Sequence, residues 1–136
     1  MMAIRYLLDT DICIYIRRKR PPKILARFEK VEPGEVGISV VTYGELAYGV
    51  AKSAEPDRAT SGLARLVALL PVLPLPEEAG KIYGTIRAAL APNGTLIGPN
   101  DLWISAHAMT SGLTVVTNNE RAFSRVKGSR VENWAK

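Results

Sequence analysis

Short apolar runs that alternate with segments of helical periodicity predict an α/β fold, with helices wound on both sides of one mostly parallel sheet. Two observations carry this. The run Tyr6-Leu7-Leu8 ends abruptly in Asp9-Thr10-Asp11 and is followed by an apolar stretch spaced for a helix, and Leu113 to Thr117 likewise ends in Asn118-Asn119-Glu120 before another helix. In such folds the carboxyl ends of the strands are where ligands gather, so polar groups there have a preferred functional address.

The length of 136 residues suits one domain, 1–136, with its own core. A net charge of +5 and a pI near 9.6 favour a polyanionic partner, nucleic acid ahead of a membrane surface. Cys13 is the single cysteine and sits in an apolar run, which excludes a disulfide framework within the chain and suits a reducing cytoplasm. No apolar run reaches the length of a membrane span, and the N-terminus lacks the features of a signal peptide.

Ile4 to Leu8 reads as a strand buried on both faces. Asp9 stands one residue past it, and an ionised group there needs a partner because burial without one is costly. Thr10 and Asp11 read as caps of the next helix. That helix, from Ile12, runs into Arg17, Arg18, Lys19 and Arg20 and stops at Pro21-Pro22. The basic run admits two readings, cations suiting a helix dipole or a phosphate-contacting patch close to Asp9, and the cluster as a whole favours the second.

Pro22 to Val31 reads as a short helix ended by Glu32-Pro33-Gly34, and Val36 to Val41 as the second strand. Thr42 would cap the following helix, whose stripe is Tyr43, Leu46, Ala47 and Val50. Glu45 lies off that stripe, and in isolation it fits a solvated first-turn glutamate. Ala59, Leu63, Leu66, Val67 and Leu70 make a further stripe, so these two helices form a hairpin that covers the sheet or offers a partner surface.

Val72 to Leu75 is a minor strand candidate, and Ala79, Ile82, Tyr83, Ile86 and Leu90 mark a helix broken by Pro92-Asn93-Gly94. Ile97-Gly98-Pro99-Asn100-Asp101 turns into a helix apolar nearly all round, the mark of a buried central helix. Asp101 at its mouth fits a dipole-stabilising cap. His107 has no second histidine to work with and reads as a hydrogen-bonded packing residue. Val131 and Trp134 suggest a last edge strand or a packed tail.

Asp9, Glu45, Asp101 and Asn118-Asn119 all fall at strand carboxyl ends or helix entrances, so one sheet edge could gather them. Two carboxylates ~4 Å apart repel by ~4 kcal/mol at an effective dielectric near ~20, so three cannot stay ionised together without a cation. Oxygen donors of this kind select Mg²⁺ or Mn²⁺. Such an ion suits phosphodiester hydrolysis.

The segments Tyr6-Leu7-Leu8-Asp9-Thr10-Asp11-Ile12-Cys13-Ile14-Tyr15, Thr42-Tyr43-Gly44-Glu45-Leu46, Ile97-Gly98-Pro99-Asn100-Asp101, Val116-Thr117-Asn118-Asn119 and Val131-Glu132-Asn133-Trp134, in this order, resemble the PIN-domain ribonucleases, specifically the VapC-type toxins. The resemblance implies a single α/β/α domain around a sheet of four or five strands. It implies Mg²⁺-dependent endoribonuclease cleavage with Asp9, Glu45 and Asp101 as catalytic and metal-binding acids. It also implies a VapB-type antitoxin that blocks the cleft, a homodimer, and a structured RNA target such as a tRNA anticodon loop.

Two positions depart from the family pattern. Asp11 stands where asparagine is usual, and Asn119 where many members carry a fourth aspartate, which weakens Asn119 as a metal ligand. Two other readings remain at this point. One is a haloacid-dehalogenase-type phosphatase using Asp9 as nucleophile, and the other an RNA-binding module without catalysis.

Overall fold

The computed structural model describes residues 3–94 and 97–136. Its sheet holds five parallel strands, β1 (Tyr6–Leu8), β2 (Val36–Ser39), β3 (Val72–Leu73), β4 (Thr114–Val116) and β5 (Arg130–Glu132), in the order β3-β2-β1-β4-β5. The most apolar strand is central, because Tyr6, Leu7 and Leu8 are all buried and only a strand covered on both faces tolerates that. The expected mostly parallel sheet of four or five strands is therefore a wholly parallel one of five.

The helices are α1 (Thr10–Arg18), α2 (Pro22–Lys30), α3 (Val40–Ala51), α4 (Pro56–Leu69), α5 (Glu78–Leu90), α6 (Pro99–Ser111) and α7 (Glu120–Phe123). Helices α1 to α4 cover one face of the sheet, where Ile12, Cys13, Ile16, Ile24, Leu46, Leu63, Leu66 and Leu70 pack with Tyr6, Leu8 and Ile38. The other face packs Leu7 and Val115 against Ile104 and Ala108 of α6 and Phe123 of α7, with α5 docked outside α6. Burial of Leu102, Ile104, Ala106 and Ala108 makes α6 the buried helix its composition predicts.

Several boundaries and caps differ from those expected. The strand ending at Leu8 starts at Tyr6, although the Arg5 N–H already bonds the Glu35 carbonyl. Helix α3 starts at Val40 because the Ser39 hydroxyl accepts the Val41 N–H, so Ser39 is the cap; Thr42 sits buried in the first turn with its hydroxyl unpartnered. The N-cap of α1 is Asp9, leaving Asp11 in its first turn. β3 ends at Leu73 rather than Leu75. The closing segment is both expected things at once: β5 pairs with β4 at the sheet edge, and Trp134 is fully buried behind it.

Candidate active site

Strands β2 and β3 lie on one side of β1, and β4 and β5 on the other, so the winding direction reverses between β1 and β4. At such a switch point the connections leave to opposite faces and open a crevice at the carboxyl ends of the two strands. Asp9 follows β1 and Thr117 follows β4, and they meet there: the Thr117 hydroxyl donates to Asp9 Oδ2 at 2.6 Å. Asp9 Oδ1 accepts the Asp11 N–H at 2.8 Å, and the Asn119 N–H donates to Thr117 Oγ1 at 2.9 Å.

The Asp9 carboxyl, only 5% exposed, is pushed up to about 9, first by burial and then by the Asp11 carboxylate beside it, with the Thr117 hydroxyl pulling the other way. Asp101, in the first turn of α6, is likewise raised, by its own burial first and then by Glu45 and Asp11. Glu45 is half-buried rather than solvated, because the Thr10 hydroxyl draws its Oε1 to 2.7 Å. Acids from α1, α3, α6 and the end of β1 are thus linked in a chain, Asp9 to Asp11, Asp11 to Asp101 and Asp101 to Glu45.

Asp11 was expected as a cap and is instead a member of this group, and its Oδ1 is buried with no hydrogen-bond partner. Thr10, read from the sequence only as a cap, and Thr117, which the sequence does not single out, orient two of the acids. The only signal for them was adjacency, to Asp9 in one case and to the Asn118-Asn119 turn in the other. Thr117→Val should destabilise the fold by ~1–3 kcal/mol in urea titration, since it strands both Asp9 Oδ2 and the Asn119 N–H.

Not every expected residue joins the group. Asn119 is exposed and only its backbone is engaged, while Asn118 donates to the Tyr15 hydroxyl at 3.4 Å. The basic run divides. Helix α1 closes at Arg18 with Lys19 as a left-handed cap (φ 57°), so Arg17 lines one recess while Arg18 and Arg20 line another with Tyr15, Pro21 and Pro22. His107 is buried packing as expected, its Nδ1 2.9 Å from the Ser39 hydroxyl, with burial lowering its basicity.

The PIN domain family model matches residues 6–129. A chain named ribonuclease VapC2 from Haemophilus influenzae is 40% identical over 96% of this chain and 98% of its own length. A tRNA(fMet)-specific endonuclease VapC from Shigella flexneri is 40% identical over 97% and 99%. The chain belongs to the VapC ribonucleases of the PIN domain family.

Solved VapC folds are similar throughout. The chain matches a DNA-bound VapBC structure from Salmonella typhimurium with a TM-score of 0.89 at 40% identity, covering 96% of this chain and 98% of that one. For VapBC-1 from nontypeable Haemophilus influenzae the TM-score is 0.90 at 31% identity, covering 98% and 100%. Membership in a ribonuclease family displaces the phosphatase and non-catalytic readings.

Proposed function

We propose that this VapC ribonuclease hydrolyses RNA at the acid group beside the β1–β4 switch point, with Asp9, Glu45 and Asp101 as catalytic acids that also hold Mg²⁺ or Mn²⁺. The observation that carries the reading is the gathering of acids at one sheet edge, where burial first and then the Asp11 carboxylate raise both Asp9, to about 9, and Asp101, to which Glu45 also contributes. The donors are all oxygens, and the orphaned Asp11 Oδ1 is an acceptor still without a partner. That chemistry fits a hard divalent cation. Among the described residues no three acids are gathered closely enough to hold an ion as they stand, so the side chains must close on it.

When bound, the ion supplies acidified water and a polarised phosphate. The chain's own part is positioning. Thr117 and the Asp11 N–H aim Asp9, Thr10 aims Glu45, and the first turn of α6 presents Asp101. Asn119 contributes at most one neutral amide oxygen as a ligand.

The substrate we favour is a tRNA anticodon loop, supported by relatives named tRNA(fMet)-specific endonucleases and by the ease with which an unpaired loop enters a cleft. A VapB-type antitoxin as partner is supported by the VapBC complexes among similar structures. A homodimer is supported by Val40, Tyr43, Tyr48 and Leu69, the large exposed apolar side chains of the described residues, which all lie on the α3–α4 hairpin. A single PIN domain over 1–136 is supported by the span of the family match. No helix among the described residues is long and apolar enough to cross a membrane, and the free, buried Cys13 thiol suits the cytoplasm.

Purified protein should cut RNA with Mg²⁺ or Mn²⁺ and stop in EDTA. Glu45→Gln and Asp101→Asn should each lower turnover by more than ~100-fold, beyond what loss of an outer-shell partner costs, without loss of thermal stability. Full cleavage in chelator would overturn the mechanism. Mapping cut sites across total RNA tests the tRNA assignment.

A further inference from the structure

Two recesses on the α1–α4 face join into one groove. The first, of about 150 Å³, is bounded by Thr10, Ile14 and Arg17 of α1 and by Glu45 and Gly49 of α3. The second, of about 310 Å³, adds Arg58, Gly62 and Arg65 of α4, and the two share Arg17, Ser53 and Ala59. The spacing explains the geometry. Thr10, Ile14 and Arg17 follow one another at i, i+4, i+7 along a single face of α1, as Arg58, Gly62 and Arg65 do along α4.

From the Thr10 hydroxyl, which holds Glu45, to Arg17 is seven residues of helix, or about 10 Å along its axis. Glycines keep the groove open. A Cβ at Gly49 would meet nothing within 4 Å, and one at Gly62 would meet only the Arg17 stem at 3.7 Å. At the far end three arginines, Arg17, Arg58 and Arg65, line the recess with one carboxylate, Glu55, which pairs loosely with Arg58 at 3.5 Å.

We infer that Arg17, Arg58 and Arg65 form a subsite for a backbone phosphate of the RNA, one lying near but not at the scissile bond. This rests on the proposed RNA cleavage at the acid group, because Glu45, a member of that group, lines the groove's other end. A guanidinium fork matches phosphate oxygens, and a polyanion crossing an acidic cleft needs cations placed beyond it. The subsite therefore comes from α1 and α4 together, and of the run 17–20 only Arg17 enters it.

The test is binding of a short single-stranded RNA to the Asp9→Asn protein without divalent ions, followed by fluorescence anisotropy across a salt series. Changing Arg58 and Arg65 together to Ala should weaken binding and flatten the log K against log salt slope by about 0.7, the value for one lost phosphate contact on a single strand. Lys81→Ala on α5 should do neither. Gly49→Leu, which fills the recess while leaving all three arginines in place, should weaken binding as well.

Unchanged affinity and slope in the double variant would overturn the subsite, as would intact RNA binding combined with lost binding of an acidic peptide, which would give the groove to a protein partner. If wild-type protein fails to cut RNA with Mg²⁺ or Mn²⁺, the failure belongs to the proposed activity. If it cuts RNA and the arginine variants bind RNA normally, the failure is the subsite's alone.

Discussion

Asp9→Asn should lower ribonuclease turnover by more than ~100-fold and, in metal-free buffer at pH 7, stabilise the fold by roughly 2 kcal/mol. The loss follows from removing the carboxylate at the centre of the acid group. The gain follows from its acidity. The unfolded chain releases the Asp9 proton near pH ~3.9, whereas the folded chain keeps it up to about 9. Between those limits the folded state binds the extra proton, so this group's effect on stability grows more unfavourable as pH rises, by at most ~1.4 kcal/mol per unit.

Three such units to pH 7 set a ceiling of ~4 kcal/mol, and local relaxation should return about half of it. Asparagine avoids the penalty, since its oxygen can keep the Asp11 N–H and its amide can donate to Thr117 Oγ1. Urea titrations at several pH values check this. The wild-type protein should weaken toward high pH without metal, the variant should weaken less because only the raised Asp101 carboxyl remains, and Mg²⁺ should narrow the gap. A variant less stable than wild type at every pH would show that Asp9 is not under electrostatic stress.

Trp134→Ala should destabilise the protein by ~3–5 kcal/mol, the usual cost of emptying a fully buried tryptophan position. Its ring meets Tyr6 edge-on, with centroids 5.4 Å apart, and lies under the Arg27 guanidinium at 5.6 Å. Its Nε1 donates to Glu132 at 3.1 Å. The tail thereby fastens the β5 edge to the base of β1, the strand that ends in Asp9.

Next to it, Asn133 donates to Asn118 and Glu120, and Lys136 pairs with Glu120, whose acidity that partner strengthens. The cavity left by alanine should therefore loosen the rim of the site as well as the core. Trp134→Phe, which keeps most of the ring volume, should recover more than half of the loss. Urea denaturation followed by circular dichroism measures both. A loss below ~1 kcal/mol for alanine would mean that the tail is not part of the core.

What the sequence by itself determined is local or periodic. The apolar run through Leu8, the stripes at Leu63, Leu66 and Leu70, and the all-round apolar helix at Leu102 to Ala108 each follow from neighbours a turn or two apart. They were enough for a parallel α/β sheet with Asp9 at a strand end. Helix starts were misread at Thr42 and Asp11, because serine, threonine and aspartate share one capping chemistry and the choice among Ser39, Thr42, Asp9 and Asp11 depends on which N–H is left free in space.

The tertiary structure alone decided the rest. Asp11 became part of the acid group because the end of β1 is buried beside β4, and Glu45 ceased to be a solvated glutamate because Thr10 lies across the groove from it. Arg17 parted from Arg18, Lys19 and Arg20, and found Arg58 and Arg65, because a helix turns successive side chains about a hundred degrees apart and α4 packs beside only one of those directions. Patterns within one element depend on short-range geometry written in residue order. Which element faces another depends on the strand order around β1, and no stretch of the chain encodes that alone.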